Sequence, residues 1–105
     1  MRVLAFIRVV PVGTETASIS SYVAEAVKIL ESAGLKYEVT PFGTAVEAGS
    51  IREVAEAVER VAERLRVMGV PRLLIDISFD LRYDKEITLD YKVRSLLSKV
   101  EKVST

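Results

Sequence analysis

The chain has 105 residues, with 15 basic and 15 acidic side chains, and half of it is hydrophobic. That length suits one domain with its own core, and the even charge balance excludes an extended nucleic-acid footprint or a polybasic membrane anchor, leaving room only for a local basic patch. Cysteine and histidine are both absent, which removes disulfides, thiol chemistry, the commonest metal ligand and the commonest base at neutral pH.

Tryptophan, asparagine and glutamine are missing too, and a Glu, Arg and Lys content without thermolabile amides fits a heat-adapted source. The apolar run from Val3 to Val10 is too short to span a bilayer and is interrupted by Arg8. It lacks a small-residue cleavage site, so the expectation is a soluble cytoplasmic protein.

Arg2 to Val10 is rich in β-branched residues, apolar at both parities, and followed by Pro11 and Gly13. It predicts a strand buried on both faces that ends at the proline. Next, Ile19, Val23, Ala26, Val27 and Leu30 recur at helical spacing, with Ser18 as the N-cap and Gly34 as the stop. Lys36 to Pro41 alternates as a second strand.

The stretch PFGTAVEAGS, Pro41 to Ser50, leads through a third strand to a helix opened by the capping box Ser50-Ile51-Arg52-Glu53. Ile51, Val54, Ala55, Val58, Val61, Ala62 and Leu65 form its apolar stripe. Arg52 with Glu56, and Glu56 with Arg60, are spaced to pair one turn apart. Gly69 and Pro71 end it.

Arg72 to Tyr83 alternates as a long strand, with Leu73, Ile75, Ile77, Phe79, Leu81 and Tyr83 on one face. From Thr88 onward, Leu89, Val93, Leu96, Leu97, Val100 and Val103 mark a last helix, with Lys99 and Lys102 near its C-terminus.

The order β-α-β-β-α-β plus one helix predicts an α+β, ferredoxin-like fold with a four-stranded antiparallel sheet and an extra C-terminal helix, residues 1–105 forming a single domain. Two helices cover one sheet face. The other needs a self-associating partner, or a ligand under the extra helix, if it is apolar.

Gly43, Thr44 and Glu47 are spaced either for a small polar pocket or for a plain hairpin connection, with Gly43 shaping the turn and Glu47 near the start of the third strand. A phosphate loop is excluded because the Gly-x-x-x-x-Gly-Lys form is absent. Ser18, Ser20 and Ser21 at the first helix offer hydroxyls and free N–H groups to an anion or a heterocycle edge, beyond what a cap requires. Asp76, Asp80, Arg82, Asp84 and Lys85 read as a face crossed by ion pairs rather than as a metal site. Tyr22, Tyr37, Tyr83 and Tyr91 read as residues finishing a core or lining an interface.

The stretch SISSYVAEAVKILESAGLKYEVTPFGTAVEA resembles the thiamine-binding, YkoF-like protein family of small ferredoxin-like proteins. The likeness rests on Ser-x-Ser-x-Tyr-Val, AGLKYEV, Pro-x-Gly-Thr, the Glu three residues after that Thr, and later the run DLRYDKEITLDYK with VRSLLSKVE. Ala48 stands where that family usually has Gly.

The resemblance implies a non-catalytic binder of thiamine or its hydroxymethylpyrimidine part, assembled as a dimer or tetramer through its sheets, with no cofactor and no metal. It places family positions on Ser18, Ser20, Thr44 and Glu47, and Gly43, where the backbone can approach a ligand closely, completes the expected ligand-binding set. The alternatives are a structural or regulatory homo-oligomer without a small-molecule ligand and, less well matched to a chain without His or Cys, an enzyme acting on organic phosphates or a metal-dependent hydrolase.

Overall fold

The computed structural model describes residues 2–104, with side chains through Glu101. Its elements are β1 (Val3–Val12), α1 (Ser20–Ser32), β2 (Lys36–Thr40), β3 (Gly43–Ala48), α2 (Ile51–Val67), β4 (Arg72–Leu81) and α3 (Leu89–Ser104). The sheet order is β2-β3-β1-β4, antiparallel throughout. This is the expected ferredoxin-like arrangement with its added helix. The side chains of Lys102 and Val103, assigned above to the last helix, lie outside the described residues.

Strand β1 is the organising element. It pairs with β4 along its whole length, from Val3 opposite Leu81 to Val12 opposite Arg72. With β3 it pairs only from Val3 to Ile7. The strand therefore does not end at Pro11, which sits opposite Leu73 inside the β4 ladder. Past Ile7, β1 has a neighbour on one side only, and a residue without an N–H is tolerated at such an edge.

Alternation puts Val3, Ala5 and Ile7 on one face, all buried, and Ala5 and Ile7 meet Val46, Ala48, Leu30, Leu35, Val54 and Val58 in the core. A neighbouring cluster joins Ala26, Val61, Leu65 and Val70. The expectation of burial on both faces holds at Leu4, which is covered by Ile87 and Leu89. It fails at Phe6, which is exposed.

Both core helices end in the same way. Gly34 and Gly69 adopt φ of +79° and +91°. Their N–H groups donate to Glu31 and Arg66, while those of Leu35 and Val70 reach back to Leu30 and Leu65. These are Schellman closures, each with its apolar contact across the end. On α2, Ser50 is the N-cap, and its Oγ accepts from the Glu53 N–H at 3.1 Å. The Glu53 carboxylate reaches back to the Gly49 N–H at 2.8 Å, one residue earlier than a standard capping box.

The buried stripe of α2 runs through Val54, Ala57, Val58, Val61 and Leu65, so Ala57 takes the place expected for Ala55, and Ile51 is exposed. Its arginines do not make the expected pairs with Glu56. Arg60 donates to Ser32, Arg64 reaches Glu25 across to α1 at 3.4 Å, and Arg66 pairs with Glu63. A tertiary partner on α1 competes successfully with an exposed pair on the same helix, which is worth only a few tenths of a kcal/mol.

The β2–β3 connection is a tight hairpin. Thr40 and Gly43 pair directly, leaving Pro41 and Phe42 as the loop. The Thr40 hydroxyl accepts from the N–H groups of Phe42 and Gly43 and donates to the Gly43 carbonyl. Most of PFGTAVEAGS is thus strand rather than loop, and Glu47 lies near the end of β3, not its start. Gly43 is not needed for a left-handed turn, since its φ is not positive. It is needed for space: a Cβ there would lie 2.6 Å from the Phe6 ring and 2.8 Å from the Ile7 carbonyl oxygen.

Phe6 can tilt outward, but the Ile7 carbonyl belongs to the sheet and cannot move without breaking register. Gly43→Ala is therefore expected to destabilise the fold by about 1–3 kcal/mol, read as a lower urea midpoint with an unchanged slope.

Candidate functional site: a cavity at the end of the β1–β3 ladder

Beyond Thr44 no strand pairs with β1 on the β3 side. The Ile7 carbonyl points to that side, toward Gly43. Backbone directions alternate along a strand, so the N–H and C=O of Val9 point the same way, past the hairpin tip. They find no strand partner there.

A cavity of about 250 Å³ lies at this corner, under α1. Ile7, Val9, Ile19, Val23 and Leu30 give it apolar walls, and Phe42, Gly43 and Thr44 close it on the hairpin side. Thr44 is 5% exposed. Its hydroxyl has no hydrogen-bond partner among the described residues, yet it is not sealed off as a buried unsatisfied atom. Thr44 is one of the residues that line the cavity. Arg8 is the charged residue on its border, and no carboxylate lines it.

Ser18 and Ser20 flank Ile19 at the rim. Both are exposed, with their hydroxyl oxygens 3.3 Å apart. Ser18 does not cap α1, as its position had suggested. The N-cap is Ile19, with no side-chain hydrogen bond to the helix, and the Ser18 N–H donates to Thr16 Oγ1 instead. The first turn of α1 is therefore open beside the cavity, with only the Tyr22 and Val23 amides satisfied, both by the Ile19 carbonyl.

Glu47 belongs elsewhere. Thr44 and Glu47 are three residues apart on one strand, so they face opposite sides of the sheet and cannot form one pocket within a chain. Glu47 is 5% exposed. Its Oε1 accepts from the Leu89 N–H at 2.6 Å and its Oε2 from Arg2 at 3.2 Å, with Lys36 4.0 Å away. A carboxylate at the first residue of α3 satisfies an orphan amide and opposes the positive end of the helix. Lys36 reinforces the dock by donating to Asp90, holding that carboxyl below its ordinary range.

The acidic row on β4 is crossed by ion pairs, but Lys85, expected among their cations, bonds Tyr91 instead. Arg82 pairs with Asp84, while Arg8 meets Asp76 at 3.6 Å and Lys92 meets Asp80. Among the described residues no group of three carboxylates gathers for a metal. Of the tyrosines, Tyr22 and Tyr37 pack on the core, Tyr37 also donating to Glu31. Tyr83 is exposed beyond β4, and Tyr91 is bonded by Lys85.

Glu47→Ala leaves the buried Leu89 amide without an acceptor and releases Arg2. We expect a loss of about 1–3 kcal/mol, with faster amide hydrogen exchange in α3 than in α1 or α2. Equal exchange throughout would contradict the anchoring role.

The model of the family described as thiamine-binding protein matches residues 5–97. The UPF0045 protein YqgV of Bacillus subtilis is 35% identical over 97 residues, covering 89% of this chain and 92% of the relative. A UPF0045 protein of Synechocystis is 37% identical, covering 96% and 82%. Among solved structures, a hypothetical protein of Methanocaldococcus jannascii superposes with a TM-score of 0.81 at 29% identity, covering 90% of this chain and 95% of that one. A Thermotoga maritima protein, named provisionally for thiamine biosynthesis or salvage, gives 0.78 at 29% identity, covering 91% and 99%. With its ferredoxin-like sheet, its added helix and a family match running from β1 into α3, this chain belongs to the thiamine-binding protein family.

Proposed function

We propose that the protein is a non-catalytic, cytoplasmic binder of the hydroxymethylpyrimidine unit, free or as part of thiamine, and that the cavity under α1 receives it. The observation that carries this reading is the pairing of a free backbone edge at Val9 with the unpartnered Thr44 hydroxyl. An aminopyrimidine presents a donor amino group beside an acceptor ring nitrogen. The Val9 carbonyl and N–H are the complementary pair, and Thr44 supplies a third polar contact. The apolar walls accept the faces of the ring.

The volume suits one heterocycle, lying just below the range of about 300–1,000 Å³ usual for drug-sized ligands. The border holds Arg8 and no carboxylate, so a cationic thiazolium belongs at the mouth, near Ser18 and Ser20, rather than inside. Glu47 contributes by holding α3, not by touching the ligand. The family description and the name of the Thermotoga maritima relative support a thiamine-related ligand. The lack of histidine and cysteine supports binding without chemistry.

Titration calorimetry with hydroxymethylpyrimidine and with thiamine tests this. Saturable binding is expected for the pyrimidine, weakened roughly tenfold by Thr44→Val through loss of one buried hydrogen bond. No heat with either compound at millimolar concentration would overturn the reading.

Self-association is the second part of the proposal. Val93, Leu96, Leu97 and Val100 of α3 are exposed, as are Phe6 and Leu74 on the face that α3 only partly covers. Exposed apolar residues concentrated on one side are typical of an interface. Light scattering is expected to give a multiple of 11.6 kDa, reduced by Leu97→Glu with Val100→Glu. A wild-type monomer would refute it, and an oligomer without ligand heat would favour a purely structural role.

A further inference from the structure

Away from the cavity, a cleft of about 490 Å³ opens between the end of β4 with the connection that follows it and the flank of α3 that carries Tyr91, Lys92, Ser95 and Lys99. Arg82, Lys85, Lys92 and Lys99 border it, against a single lining carboxylate, Asp80. Two of these charges are answered: Lys92 by Asp80, and Arg82 by Asp84. Lys85 and Lys99 make no ion pair within 4.0 Å among the described residues, although the Lys85 charge also acts on Asp84 at longer range.

Lys85 instead donates to the Tyr91 hydroxyl and lies 4.5 Å from the centre of its ring. The phenol sits in the field of several cations. The Lys85 hydrogen bond, and then its charge, hold the phenol below its ordinary value, and Arg82 and Lys99 add to the effect. In a chain with no net charge, this local surplus arises only because the fold brings the end of β4 against α3.

We propose that this cleft binds the phosphoryl group of a small phosphorylated molecule. The anion sits between Lys85 and Lys99, beside the Tyr91 hydroxyl, with the Ser95 hydroxyl as a further donor. The organic part lies against Ile87. Lysines suit this role as mobile point charges that converge on a tetrahedral anion. The site shares no lining residue with the cavity under α1, so it stands or falls independently of the pyrimidine reading.

The test is calorimetry of the full chain with inorganic pyrophosphate at low ionic strength. We expect saturable binding that weakens with added salt. Lys85→Ala with Lys99→Ala should weaken it about tenfold or more, whereas Thr44→Val, and Arg52→Ala with Arg66→Ala on α2, should leave it unchanged. Both cleft lysines are exposed, so the variant should keep the wild-type melting temperature. No saturable heat at millimolar pyrophosphate overturns the proposal. So does equal weakening by the α2 pair, which would mean diffuse charge rather than a site.

Discussion

The unequal pairing of β1 shapes the molecule. Along β4 the strand is matched to its end, while along β3 it is matched only as far as Ile7. A sheet of equal strands would have spent all its backbone groups on itself. Here Val9, which lines the cavity, has no partner on the β3 side, and Pro11 is accommodated in the same unpaired segment. The tight hairpin fixes where β3 begins, and Gly43 at that point is forced to remain small by the Ile7 carbonyl and the Phe6 ring. Cavity, edge and turn are consequences of one length mismatch.

The two faces of the sheet are held by different physics. On one, α1 and α2 bury aliphatic side chains and close with matching Schellman turns. On the other, α3 is held at its first turn by the Glu47 carboxylate and by charged partners, with Leu4, Ile87 and Leu89 as a small apolar patch. Directional contacts at one end leave the rest of the α3 apolar stripe uncovered. The same geometry explains the basic cleft, since a helix docked by its start carries its later lysines over the end of β4.

Much of the fold was legible in the sequence. The α2 stripe, the Ser50 cap, the glycine stops and the alternation of β4 each follow from local periodicity. The errors have local causes. Pro11 looked like a terminator because the unpaired side of β1 cannot be seen in sequence. Ser18 looked like a cap because serine favours that position, yet Ile19 occupies it while Ser18 bonds to Thr16. Ala55 and Ala57 differ by two positions on a helix whose rotation only packing fixes. The separation of Thr44 from Glu47 could have been read from strand parity once both were placed within β3.

By itself, then, the sequence determined the element order, the fold class, the apolar faces of the helices and the likeness to a binding family, because these rest on propensities and spacings within short windows. Tertiary structure decided which polar residues work together. Leu89 meets Glu47 across 42 positions, Val9 meets the corner behind Thr44, and Lys85 and Lys99 come to face one cleft. The first two depend on where β3 stops beside β1 and on how α3 docks, long-range distances that leave no signature in a short window, whereas the third depends on how the connection after β4 folds back onto α3.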